Sequence, residues 1–185
     1  MIRAVFLCCI ALCLSGCSSL KSVDTAKELT SSETVKSFEQ PSIRKMIADE
    51  ERKKGIPSGI LNSIATVESR HNAYAVNARK KAHSFKTRAE AVKFIKKSLS
   101  SGYDNISLGC FQLHYATHKK YFASVDDMLI PELNITYAAS LLRTLYDKYG
   151  TWEDAIKKYH NGKAKYNTSY YRKVMDVYNS SYKVS

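Results

Sequence analysis

Apolar residues follow two different rules along this chain. In residues 4–14 they form an unbroken run of eleven. From Ile43 onward they recur at spacings of three and four, the period of an amphipathic helix. Ile43 to Ile47 begins a short helix after Pro41, stopped by Gly55. Pro57 suits the first turn of a second helix, which the pattern carries to about Ser69. Thr87 and Glu90 have capping-box spacing, and Ala91, Val92, Ile95 and Leu99 continue as a stripe closed by Gly102. Pro131 opens another helix, with Ala138, Leu141, Leu142, Leu145 and Tyr149 along one side and Gly150 at its end. Thr151 is placed to cap the next segment, with Asp154 three residues on, and a last helix covers roughly residues 169–178. No run alternates convincingly with period two, and no segment repeats. The pattern predicts an all-α domain with one core.

The unbroken run is too short to cross a membrane, which takes about 17–25 apolar residues. With Arg3 ahead of it, it suits the h-region of a signal peptide. Leu14-Ser15-Gly16-Cys17 follows, and this resembles the lipobox of bacterial lipoproteins. The resemblance implies that residues 1–16 are a signal peptide and that Cys17 is diacylglycerylated and becomes the acylated N-terminus. Ser18, rather than Asp, follows the Cys. By the same likeness this points to the outer membrane of a Gram-negative envelope, with the protein facing the periplasm. Residues 17–40 then comprise the lipidated Cys17 and a tether. Between 18 and 35 there are eight Ser or Thr and five charges. As a random coil this stretch reaches about 25 Å. An ordinary secreted protein cut nearby is the alternative. Residues 41–185 remain for the folded domain.

With 185 residues, 44% of them apolar and 25% charged, the chain has the composition of a soluble globular protein of one domain. Five Cys suggest a disulfide scaffold until they are placed. Cys8, Cys9, Cys13 and Cys17 lie in the first seventeen residues, so Cys110 has no partner for an internal bridge in the body of the chain. Lys and Arg number 29 against 17 Asp and Glu, a net charge of +12 that favours an anionic partner or surface. The Lys pairs at 53–54, 96–97 and 157–158 read as solvated helix faces. With an export signal and no recognised motif, nucleic acid is not the partner. Cys110, His114 and His118 stand at i, i+4 and i+8, but on a helix the outer pair is about 12 Å apart along the axis. The two His lack the intervening Glu of a zincin and a third ligand, so no metal is implied. One of these His is expected in a cleft and one at the surface.

The most informative stretch is Gly59-Ile-Leu-Asn-Ser-Ile-Ala-Thr-Val-Glu-Ser69. Leu61, Ile64 and Glu68 share one helix face, so a carboxyl takes the last place on the inward stripe. Ser63, Thr66 and Ser69 already supply the polar face. A half-buried Glu holds its proton towards neutral pH, which is what a general acid needs. A frayed helix end with a solvated Glu68 is the plainer alternative.

Three segments now carry a resemblance. Glu68-Ser-Arg-His-Asn-Ala-Tyr-Ala-Val-Asn77 is similar to the E-S-x-x-N-P-x-A-x-[SN] signature of lytic transglycosylases with the SLT, or goose-lysozyme-like, domain. Gly109-Cys-Phe-Gln112 stands where that family has G-L-M-Q, and Lys158-Tyr-His-Asn-Gly162 where it has A-Y-N-x-G. The likeness covers about residues 45–178. The insertion between the first two motifs resembles the specialised members serving secretion, conjugation and flagellar machines. The resemblance implies a lysozyme-like helical fold, no cofactor, and peptidoglycan glycan strands as substrate. It makes Glu68 the sole catalytic acid/base. It places Gln112 in the cleft, with Gly109 letting the backbone approach the sugar, and points the Tyr159 hydroxyl towards Glu68. Ser69 and Asn77 would hold the cleft wall. The family cleaves the β-1,4 bond between N-acetylmuramic acid and N-acetylglucosamine without water, leaving a 1,6-anhydro ring. Because the nucleophile belongs to the substrate, no second carboxylate is required.

Cys110, Phe111 and Ala73 depart from the family pattern at packing or loop positions, and His114 and His160 depart from it where Asn is usual. Two other functions remain open. A goose-type hydrolase would need a carboxylate to position water, with Asp104 as candidate, although Asp104 also suits a turn with Gly102 and Asn105. A non-catalytic lipoprotein gripping glycan strands would not need a buried acid.

Overall fold

The computed structural model describes residues 42–160 and 164–182. The signal peptide, Cys17 and the tether lie outside the described residues, as do Asn161 and Gly162 of the third motif. Among the described residues are seven α-helices: α1 (Ile43–Lys54), α2 (Ile60–Ser69), α3 (Arg88–Ser100), α4 (Tyr115–His118), α5 (Pro131–Tyr149), α6 (Trp152–His160) and α7 (Ala164–Ser181). None is long and apolar enough to cross a membrane.

Several helix ends follow directly from local chemistry. Gly55 ends α1 in the left-handed region at φ 63°, donating to the Arg52 and Glu51 carbonyls. At α3 the capping box is complete: Glu90 N–H donates to Thr87 Oγ1 (3.2 Å) and Thr87 N–H to Glu90 Oε2 (3.2 Å). Asp154 N–H donates to Thr151 Oγ1 at 3.1 Å where α6 begins.

α2 starts at Ile60, three residues beyond Pro57, because its cap comes from another helix. Gly59 at the N-cap offers no side chain. The carboxylate of Glu51, on α1 and only 2% exposed, accepts N–H bonds from Gly59 and Asn62 at 3.0 Å each. It satisfies donors that a helix start leaves unpaired. Bonds to a charged group of this kind contribute about 1.5–3 kcal/mol each. The helix carrying Glu68 is thereby tied to α1.

One element departs from the all-α expectation of a mostly helical domain. Four short strands, β1 (Ala75–Ala78), β2 (Lys81–Ser84), β3 (Ile106–Leu108) and β4 (Leu113–His114), form an antiparallel sheet in the order β2-β1-β3-β4. Strands of two to four residues are too short to show alternation, which takes about 4–8 residues. Their register puts Ala82, Asn77, Ser107 and His114 in one row across the sheet. The alternate positions Val76, Ala78, Ile106, Leu108 and Leu113 enter the core. One face of the sheet therefore presents Asn77, Ser107 and His114 as a polar row that ends at Ala82.

The core gathers Leu61, Ile64 and Ala65 of α2, Ile135, Ala138 and Leu142 of α5, and Ala155 and Ile156 of α6. α2 packs against α1 and α7, and α5 against α1 and α6. The predicted stripe on α5 divides in three. Ala138 and Leu142 are buried, Leu141 and Leu145 line a hollow beside Glu68, and Tyr149 is exposed.

Candidate active site

Glu68 lies in the last turn of α2, where the buried stripe reaches the edge of the core, and is half-buried. Burial pushes its carboxyl up to about 7, while a hydrogen bond from Tyr170 opposes the shift. That bond is short: Tyr170 Oη donates to Glu68 Oε1 at 2.7 Å. Tyr170 comes from α7, which packs on α2, and is 5% exposed. Its own ionisation is pushed far up, by burial first and by the nearby Glu68 charge second. It stays a donor at any physiological pH.

Two hollows meet at this carboxyl, of about 560 and 420 Å3, and both are lined by Glu68, Asn77 and Gln112. The polar row of the sheet contributes to both: Ser107 and His114 line the larger, Ala82 the smaller. Together they make a groove running past Glu68. Among the described residues, Glu68 is the only carboxyl lining either hollow.

The turn from Gly109 to Gln112 joins β3 to β4 and brings Gln112 to both hollows. Four parts of the fold hold it. Ser69 Oγ of α2 donates to the Cys110 carbonyl (2.8 Å), and Tyr159 Oη of α6 to the Phe111 carbonyl (3.1 Å). Gly109 N–H donates to the Ala75 carbonyl of β1 (2.8 Å). From α5, Asn134 accepts from Phe111 N–H (3.1 Å) and donates to the Leu108 (3.3 Å) and Met128 (2.9 Å) carbonyls. Gln112, at φ 47°, turns its own amide back onto the Gly109 (2.9 Å) and Ala75 (3.3 Å) carbonyls. A non-glycine residue in that conformation persists because its surroundings over-determine it.

Residues 45–177 match the family model described as Transglycosylase SLT domain. The chain belongs to this family. No curated protein and no solved structure gives a significant match. Membership indicates a lytic transglycosylase acting on peptidoglycan, with a lysozyme-like helical fold.

Within this SLT domain one expected side-chain placement is corrected. The hydroxyl on Glu68 belongs to Tyr170, not to Tyr159, whose hydroxyl is committed to the Phe111 carbonyl. Tyr159 still lines the larger hollow. Gly109 is buried and lines neither hollow. A Cβ there would meet the Asn134 amide at 2.5 Å, so close packing and a φ of 77° both call for glycine. Ser69 borders the smaller hollow while its hydroxyl braces the turn.

Cys110, His114 and His118 do not share a helix. Cys110 sits in the turn, His114 on β4 and His118 at the end of α4. Both His line the larger hollow, so neither is the surface residue expected. His114 bonds Thr117 Oγ1 (2.9 Å) and Asn105 Oδ1 (3.1 Å), and His118 bonds the Tyr137 hydroxyl (2.8 Å). Burial pushes the Cys110 thiol up to about 12, leaving it an inert, small apolar group. Asp104 is exposed in the turn before β3 and lines neither hollow.

Tyr170 and Asn134 escaped the sequence reading. Asn134 heads the buried face of Ile135, Ala138 and Leu142, a lone polar residue on an apolar stripe, as Glu68 is on α2. Tyr170 shares a buried face with Val174 four residues on. That spacing signals an inward ring without naming its partner.

Proposed function

We propose that this protein cleaves the MurNAc-β-1,4-GlcNAc bond with Glu68 as its only acid/base, leaving 1,6-anhydroMurNAc ends. The observation that carries this reading is a single carboxyl, raised to about 7 by burial, in a groove whose described residues supply no second one. Glycosidases that activate water or form a glycosyl-enzyme use two carboxylates. Here Glu68 gives its proton to the bridging oxygen, and the substrate's own acetamido group supports the cationic sugar. Ionised Glu68 then takes the proton of the muramic O6 as that oxygen closes on C1. A group titrating near 7 serves both half-reactions at neutral pH. Asn77, Gln112 and the sheet row offer polar contacts to the sugars on either side.

Charge supports a peptidoglycan partner. Residues 79–101 carry eight Lys or Arg against Glu90 alone, a surface that attracts the carboxylates of stem peptides. The hairpin and α3 in this segment form the insertion that motivates a role in local wall opening for an envelope-spanning machine. Digestion of purified peptidoglycan by the protein, followed by mass spectrometry of the released fragments, is expected to give anhydromuropeptides. Reducing-end products would sink the proposal in favour of a hydrolase.

Lipidation of Cys17 and outer-membrane attachment complete the proposal on the strength of the lipobox-like sequence. The expected outcome is that Cys17→Ser shifts the protein from the membrane fraction to the soluble periplasmic fraction. Unchanged fractionation would refute the anchor.

A further inference from the structure

Tyr170 can donate to Glu68 only while its ring keeps one orientation, and another ring covers a face of it. His160, the last residue of α6, stacks on Tyr170 with ring centroids 4.2 Å apart and planes 12° from parallel. His160 lines the larger hollow, and also a separate one of about 330 Å3 bounded by Val67, Glu68, Tyr170 and Lys173. It therefore stands beside the acid and its hydrogen-bond donor at once. The charged or titratable groups that line these two hollows with it are Glu68 of α2, His114 of β4, His118 of α4, Lys158 and Tyr159 of α6, and Tyr170 and Lys173 of α7. Burial and the Lys173 charge both push the imidazole below its ordinary titration range. At neutral pH it stacks as an uncharged ring and adds no cation beside Glu68.

We propose that His160 is a positioning residue for the reaction: its ring, stacked on Tyr170, holds the phenol hydroxyl on Glu68 and so orients the acid/base. The inference rests on the reading of Glu68 given above. The physical chain is short. The Tyr170 bond favours the ionised form of Glu68 and burial disfavours it. If the stack is lost, the ring is freed, the bond is lost with it, and Glu68 holds its proton to higher pH. A His160 that merely kept water away would do the reverse. Its removal would hydrate Glu68 and bring the titration down towards the ordinary carboxyl value of 4.5.

The test is a carbon-13 NMR titration of the Glu68 carboxyl in the full chain, assigned with Glu68→Gln. Tyr170→Phe and His160→Ala are both expected to raise the midpoint. The double variant should sit no higher than Tyr170→Phe alone. His160→Phe, which keeps a flat ring on Tyr170, should recover most of the wild-type value and shows that a rise in His160→Ala is not misfolding. On soluble peptidoglycan fragments, His160→Ala should lower kcat about tenfold, or about 1.4 kcal/mol, with KM little changed. A lowered midpoint in His160→Ala, or effects that add to Tyr170→Phe, would overturn the proposal. The titration needs no turnover. A chain that releases no anhydro products would defeat the functional reading while the midpoints still decide what His160 does to Glu68.

Discussion

Glu68→Gln is expected to slow release of anhydromuropeptides by about 10²–10⁴, the range that positioned acid/base groups contribute. Gln keeps the shape and can still accept from Tyr170, but it can neither give nor take the proton. In the wild type, kcat/KM should fall about tenfold per pH unit above 7, since the first half-reaction needs protonated Glu68. The same substitution should reverse a stability trend. Glu68 titrates at about 7 in the fold against 4.5 ordinarily, so the folded chain binds this proton more tightly than the unfolded one. The stability linked to it is fully present below about 4.5 and lost as pH rises through about 7. Thermal melts should therefore show Glu68→Gln close to wild type near pH 4.5. By pH 8.5 it should be more stable by about 1–3 kcal/mol. Equal melting temperatures at both pH values would contradict the buried titration, whatever the activity showed.

Asn134→Ala should be the most damaging change away from the acid, at about 3–5 kcal/mol in urea unfolding. The amide of Asn134 holds one N–H and two carbonyls in the core. Each buried backbone group left without a partner costs about 1–3 kcal/mol. Function should suffer beyond stability, because Leu108 leads into the turn that carries Gln112 and Phe111 lies within it. Measured at a temperature where the variant remains folded, turnover should drop at least tenfold, or about 1.4 kcal/mol in the barrier. Asn134→Asp keeps the acceptor for Phe111 but loses both donations, so it should be intermediate in charge-independent packing yet still impaired. Loss of stability with full turnover would show that the turn does not depend on α5.

Helix positions were legible because their signals are local. Gly55, Gly150, Thr87 with Glu90, and Thr151 with Asp154 each act within a few residues, and each ends or starts a helix where expected. The start of α2 was misplaced because its cap is Glu51, on a different helix. The sheet was missed because strands of two to four residues leave no periodic trace. At the site, Glu68 could be picked out from spacing alone, being a carboxyl at the end of an apolar stripe. Its donor could not. Tyr159 and Tyr170 are both inward tyrosines beside Glu68, and only the packing of α7 on α2 decides which hydroxyl reaches it. Gly109 was legible as a necessary glycine, but its reason lay in Asn134, 25 residues along the chain.

The cap on α2 has a further meaning for the acid at the other end. Aligned peptide dipoles give a helix a positive N-terminal end and a negative C-terminal end, each equivalent to about half a charge. The Glu51 carboxylate meets the first of these, where negative charge is welcome. Glu68 meets the second, one residue from the last helical position, among carbonyl ends that repel a carboxylate. That field is worth about 0.3–1 kcal/mol and acts in the same direction as burial. Running the helix from one carboxyl to the other thus gives the same functional group opposite tasks, one holding a charge in place and the other holding a proton in reserve.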